Sequence, residues 1–392
     1  MELKVDFSGR SHFYTDEEKA VVLEVMDSSN GLTQGIYRDK FERKFAAYQS
    51  VSHAYTTMNA TAALELTAQL CQFNGEEELI APSHTFTASV YPFVKQGAKV
   101  VWVDIDFESR VVTADLIEEK ITEKTKAILV VHLYGYLADM PAIRALADRY
   151  NLLLIEDTAQ AIGTEINGKK AGSWGDFGIF SFHSHKNITT LGEGGMLTVK
   201  DNKFCELIPM LRHNGHCGFD YNRDNYWIPA MGNVDIVELN GTPVEVNNYC
   251  LGEVECALGA KLLDRLDQIN DEKRARAINF IDILQGFPEL QFQRIDSIRH
   301  NYHLLVATME NGNRDEFIRR MYEQKGVKCV VQYYPLHRYD YYKKLGLGEA
   351  DVPNTDRFYD NMISFPFQHW MSDEELEYMT KSTLEILQEL RG

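Results

Sequence analysis

Between residues 59 and 199, short apolar runs rich in β-branched residues alternate with stretches whose apolar residues recur at helical spacing. This rhythm constrains the chain more than any other feature. Strands joined through helices run parallel, and a mainly parallel sheet must be covered on both faces. The pattern predicts strands at 79–81, 99–103, 127–132, 152–155, 179–182 and 196–199, and helices over 59–73, 85–95, 115–122 and 141–150. The segment from Ala171 to Gly178 is too short for a packed crossover helix, so the last two strands are expected to be antiparallel or reached by loops.

The flanking regions read differently. Thr15 with Glu18 forms a capping box that opens a helix bearing Val21, Val22, Val25 and Met26, and a second short helix carries Phe41, Phe45 and Tyr48. Residues 213–247 interrupt the rhythm, and Asn240-Gly241 between two alternating runs predicts a two-residue hairpin. A helix over 251–270, extended by the charged run 271–285, leads to a smaller α+β unit. There, strands are expected at 302–309 and 327–333, with helices capped by Asn313/Glu316 and Ser372/Glu375. The fold class is therefore α/β: a large domain, 1–255, with an N-terminal arm and the 213–247 hairpin insertion, and a small C-terminal domain, 256–392.

Composition excludes several classes. The 392 residues carry a net charge of −18, which disfavours wrapping nucleic acid or anionic membrane. No apolar run approaches the roughly 18 residues of a membrane span, and the start has no apolar signal core, so a cytoplasmic location is expected. The six cysteines form no C-x-x-C pair and read as reduced thiols. His183 and His185 lack a third ligand at zinc-like spacing, so no metal is expected.

Three positions fall where an open parallel sheet gathers ligands, beyond the carboxyl ends of its strands. Asn59-Ala60-Thr61 opens a helix, whose free amides suit an anion. Asp157 follows a buried strand, with Gln160 one helical turn on. Lys186 follows another strand and precedes a glycine-rich turn, and restricted solvation would make its amine nucleophilic. Taken singly, each has an ordinary reading: a plain helix cap, a strand-end acid bonded to loop amides, a surface lysine. Together they suit pyridoxal 5'-phosphate (PLP), without excluding other phosphate ligands.

MNATAALEL, APSHTFTAS, IEDTAQAIG, GDFGIFSFHSHKN with GEGGML, and VQYYPLH occur in this order. The chain resembles the DegT/StrS-type sugar aminotransferases, a branch of the fold-type I PLP enzymes, over almost its whole length. The resemblance implies a seven-stranded-type sheet and a homodimer with shared active sites. It implies that Ala60, Thr61 and Ser181 hold phosphate, Phe86 stacks on the ring, Asp157 pairs with the ring nitrogen, Gln160 bonds near the ring hydroxyl, and Lys186 bonds covalently to the aldehyde. Asn248 would reach the partner's phosphate, although the family's usual arginine two residues on is Cys250 here.

The same resemblance implies transamination from glutamate to a carbonyl sugar by a ping-pong mechanism. The acceptor would be a nucleotide-linked keto-deoxyhexose or 8-oxo-3,8-dideoxy-octulosonate, serving surface polysaccharide or lipopolysaccharide biosynthesis. His185, Arg212, His213, Tyr334 and His337 are expected to line the substrate side, together with Tyr221, Arg223, Tyr226 and Trp227 if the hairpin covers the mouth of the site; the hairpin reads equally as a dimer contact with no substrate role. The alternatives are a PLP- or PMP-dependent sugar dehydratase, since His185 adjoins Lys186, and a non-catalytic PLP-binding metabolite sensor.

Overall fold

The computed structural model describes residues 3–11, 13–219, 232–293, 300–310 and 312–391. Its centre is a seven-stranded sheet. The strands are β1 (His53–Thr57), β2 (Glu78–Pro82), β3 (Lys99–Val103), β4 (Thr125–Val131), β5 (Leu153–Asp157), β6 (Phe177–Ser181) and β7 (Gly195–Val199), in spatial order β1-β7-β6-β5-β4-β2-β3. All neighbours from β3 to β6 pair in parallel, while β7 lies antiparallel between β6 and β1. The short loop at 171–178 thus leads to a parallel strand, and the antiparallel one follows it. β1 was not apparent in the sequence because only alternate residues of its first half are buried.

Helix α1 (Asp16–Asp27) has the expected capping box: Thr15 Oγ1 accepts from Glu18 N, and Glu18 Oε2 accepts from Thr15 N. Of its apolar residues only Val25 is buried, leaving Leu23 and Met26 exposed. In α2 (Ile36–Gln49), Phe41 and Phe45 pack against Phe180 and Phe182 behind the sheet. Helix α3 (Ala60–Cys71) crosses from β1 to β2 and is almost wholly buried, which its apolar run requires. The helix expected over 85–95 divides into a 3₁₀ turn, Thr87–Ser89, and a helix, Tyr91–Lys95. Pro92 lacks an N–H and so suits a new helix start rather than an interior. Helix α4 (Met140–Arg149), capped by Asp139, links β4 to β5.

The helix expected over 251–285 is two helices, α5 (Glu253–Leu262) and α6 (Leu266–Leu284). The smaller sheet joins β8 (Gln291–Phe292), β9 (Leu305–Thr308) and β10 (Met362–Phe365), all antiparallel. Residues 327–333, expected as a strand, form only isolated bridges through Val327 and Val330. Val330 exchanges both backbone bonds with Ser364, after which the chain turns so that Gln332 and Tyr333 face the cavity. Helix α7 (Arg314–Lys325) starts as expected, but Asn313 makes no side-chain cap; Glu316 is drawn instead to Arg319 and Arg320. Ser372 and Glu375 cap α8 (Asp373–Arg391) reciprocally.

The Asn240-Gly241 hairpin is present, with both residues at positive φ (53° and 75°), as a type I′ turn demands. It packs on the end of α3, where Gln72 bonds Leu239 O and Asn240 Nδ2. The turn thus lies the full length of α3, roughly 18 Å, from the helix start, and none of the described residues 213–219 and 232–247 lines this chain's own cavity. Among the described residues no helix is long and apolar enough to cross a membrane.

Candidate active site

The carboxyl ends of β1, β5 and β6 meet in a cavity of about 500 Å³, closed on the far side by α6, residues 303–304, Gln332–Tyr333 and the N-terminal arm. Lys186, Asp157, Ala60, Thr61, Phe86, Gln160, Ser181 and His185 all line it.

At the end of β1 the side chain of Asn59 accepts from Ala62 N at 2.9 Å. Among the described residues nothing accepts from the amides of Ala60 and Thr61, so two donors of the first turn remain open toward the cavity. Ser181, the last residue of β6, adds a buried hydroxyl. Close approach makes this cradle: a β-carbon at Gly195 would stand 2.4 Å from the carbonyl carbon of Asn59.

Asp157 ends β5 and is 5% exposed. Ser89 Oγ donates to its Oδ2 at 2.7 Å, and Ala159 N donates to its Oδ1 at 3.0 Å. Among the described residues no cation forms an ion pair with it. A buried carboxylate held by two neutral donors is poised for a cation from outside the chain.

Lys186 stands in the loop after β6, its amide bonded to His183 O at 2.8 Å. Dense surroundings disfavour the ammonium and lower its pKa to about 8, although the negative charge of Asp157 opposes the shift. Such an amine is substantially neutral at mildly alkaline pH, as a nucleophile must be. Burial first, and then the proximity of His183 and Lys186, likewise lower the pKa of His185.

Gln160 is fixed at both ends: Tyr134 N donates to its Oε1 at 2.7 Å, and its Nε2 donates to Tyr333 Oη at 2.8 Å. The Phe86 ring stands edge-on to Tyr333 at 6.3 Å, with much of its surface open.

Other expected substrate residues lie elsewhere. Arg212 is 3% exposed, and its Nη1 bonds Glu42 at 2.6 Å and Thr56 O at 2.7 Å; it braces β1 and is unavailable to substrate. His337 is also buried, with Nδ1 2.6 Å from Ser83 Oγ and Nε2 3.3 Å from Asp356, so it pins its loop to β2. Tyr334 packs beside Tyr339 and Tyr359, outside the cavity. The His213 ring lies 4.6 Å from that of His216, tilted by 40°, and His213 bridges Asn248 through the backbone; neither residue of that bridge lines this chain's cavity. Tyr221, Arg223, Tyr226 and Trp227 lie outside the described residues.

The structure adds Ser89, Lys273, His303, Tyr333 and the arm residues Ser8, Arg10 and Ser11 to the lining. Tyr333 was masked by the expected strand. Lys273 carried a signal: it falls in the buried stripe Leu266, Ile269, Lys273, Ala277, Phe280, Leu284.

A parallel sheet with an anion cradle, a buried acid and a low-pKa lysine at one edge defines a fold-type I cofactor enzyme, and the comparisons agree. Residues 13–383 match the DegT/DnrJ/EryC1/StrS aminotransferase family, and the chain belongs to it. It is similar to proteins named GDP-perosamine synthase from Escherichia coli O157:H7 (32% identical, covering 95% of this chain and 96% of that one) and Vibrio cholerae (31%, covering 92% and 93%). Among solved structures it resembles an aminotransferase from Psychrobacter cryohalolentis (TM-score 0.89, 25% identical, covering 99% and 100%). It also resembles the PLP form of the putative sugar aminotransferase Spr1654 from Streptococcus pneumoniae (TM-score 0.84, 26% identical, covering 98% and 99%). The protein is a PLP-dependent aminotransferase of the sugar aminotransferase family.

The residues present fit that cofactor. Its phosphate needs donors, and two open amides await it. Its ring nitrogen, kept protonated, needs a buried anion without a cation of its own, which describes Asp157. Its aldehyde needs an amine with a depressed pKa, which describes Lys186.

Proposed function

We propose that the chain transfers an amino group from glutamate to a carbonyl sugar, the two reactants using one cavity in turn, for the synthesis of bacterial surface polysaccharide or lipopolysaccharide sugars. The observation that carries this reading is the convergence of Lys186, Asp157 and the open amides of Ala60 and Thr61 on one cavity. Bound there, PLP supplies an electron sink for the negative charge left when a carbon–hydrogen bond breaks.

The chain's own residues account for the rest. Ala60 N–H, Thr61 N–H and the Ser181 hydroxyl hold the phosphate. Asp157 keeps the proton on the ring nitrogen. Phe86 covers a ring face, and Gln160, held by Tyr134 and Tyr333, bonds near the ring hydroxyl. Lys186 would hold the cofactor through its amine, and its Nζ, once free, would take the proton from the donor carbon and later return one. Asn248 reaches the phosphate of a second subunit. This homodimer is supported by the position of Asn248 outside its own cavity and by the exposed Phe13, Leu23, Met26, Leu32 and Ile36.

Two acceptor classes have support. Relatives named GDP-perosamine synthase favour a nucleotide-linked keto-deoxyhexose. A buried cavity cation, Lys273, favours the sugar acid 8-oxo-3,8-dideoxy-octulosonate.

Adding glutamate to the yellow holoenzyme is expected to bleach it, and the true acceptor is expected to restore the colour with release of an amino sugar. A protein that stays yellow is a cofactor-binding sensor, and a product that has lost oxygen without gaining nitrogen marks a dehydratase; either result overturns the reading.

A further inference from the structure

One cation in the cavity wall has no evident part in holding the cofactor. Lys273 projects from α6, is 3% exposed, and still lines the cavity. Its Nζ donates to His303 O at 3.0 Å and, at the long limit, to Asn187 Oδ1 at 3.4 Å. These account for two of its three N–H donors. The Phe367 ring lies 5.4 Å away, and among the described residues no carboxylate pairs with the ammonium. Burial alone lowers its pKa, to about 7.

A buried cation without a counter-ion costs stability, and a methionine could fill the same stem volume without that cost. Its position suggests what offsets the cost. Asn187, adjacent to Lys186 in the chain, accepts through one oxygen from Lys273 Nζ and approaches His303 Nδ1 at 3.2 Å, while its own amide bonds Asn270. Lys273 is thereby tied to the segment that carries the reacting amine. The wall around it holds three basic side chains, Lys186, Lys273 and Arg10, against two acidic ones, Asp157 and Glu193, although the chain as a whole carries −18.

We propose that Lys273 Nζ is the seat for a carboxylate of a reactant, either the amino donor or a sugar acid. This rests on the transamination reading and names the group by which the cavity recognises its substrates.

The test uses holoenzyme and two unreactive probes, measured by calorimetry. Glutarate reports the donor carboxylate, and 3-deoxy-octulosonate with its terminal hydroxyl intact reports a sugar acid. In Lys273→Met, at least one probe is expected to bind about thirtyfold more weakly, the effect of removing one partner of a buried charge pair. Loss confined to one probe identifies the source, and loss of both marks a shared seat. Equal binding of both probes to the two proteins overturns the proposal. If the variant does not fold, wild-type crystals soaked in each probe decide: a carboxylate within about 3.2 Å of Nζ supports the seat, and carboxylates bound elsewhere, or not at all, remove it. Bleaching by glutamate is recorded alongside. A wild type that bleaches while its probes ignore Lys273 loses only the seat, whereas one that never bleaches loses the transamination reading.

Discussion

Glu156 and Asp157 are consecutive residues at the end of β5, both buried, and they point to opposite faces of the sheet. Glu156 faces away from the cavity and is fully partnered. It accepts from the amides of Gly172 (2.8 Å), Trp174 (2.6 Å) and Gly175 (2.6 Å), and lies 3.1 Å from His132 Nε2. Asp157 faces the cavity with one hydroxyl and one amide. The first carboxylate closes a loop of its own chain, and the second is left incomplete for a ligand. The two buried amines repeat the lesson on the cavity side, since neither Lys186 nor Lys273 has a carboxylate partner among the described residues. Polar groups that a fold leaves unsatisfied at one edge mark the chemistry better than polarity itself.

The largest expected effect lies on the cavity side. Lys186→Ala should remove both the covalent attachment and the proton carrier, lowering turnover by at least about 10³-fold; borohydride trapping with peptide mapping should find no adduct at position 186. The next experiment sets the paired acids against each other. Asp157→Asn should reduce kcat/KM by about 100-fold or more, equivalent to roughly 3 kcal/mol of lost charge stabilisation, with little change in the apoprotein Tm. Glu156→Ala should do the reverse, stranding three buried amides at a cost of about 3 kcal/mol or more, visible in thermal melts. If both substitutions affected only stability, the contrast between the two faces would be wrong.

Lys273 sharpens the comparison through pH. Its folded pKa of about 7 is depressed below the unfolded lysine value, so the unfolded state binds more protons between pH 7 and roughly 10.4. The penalty is complete below pH 7 and fades as pH rises through that window. Lys273→Met should therefore raise the apoprotein Tm by a few degrees at pH 6 and by less at pH 9.5. The smallest effect is expected from Tyr333→Phe, which removes the acceptor of Gln160 Nε2. A cofactor dissociation constant weakened about three- to tenfold, the worth of one hydrogen bond, would place Tyr333 as a positioning residue.

The parallel sheet was legible because its strands are buried on both faces and read as unbroken apolar runs, as in Ala127–Val131. Capping at Thr15 and Ser372 and the turn at Asn240-Gly241 were legible because their physics is local. Arg212 and His337 could not be sorted by spacing. Their roles depend on Glu42, Thr56, Ser83 and Asp356, all distant in sequence. The Asn313 cap failed for a related reason, because Glu316 found stronger partners in Arg319 and Arg320.

By itself the sequence determined the alternation of strands and helices, the ends of several helices, the positions of Lys186 and Asp157 after strand ends, and the helix start at Asn59. These follow from periodicity and from bonds spanning a few residues. Only the tertiary structure decided which polar side chains stay open to a ligand. That depends on partners brought together from across the chain, so Arg212 became a brace while Lys273, in an apolar helix stripe, became a cavity cation.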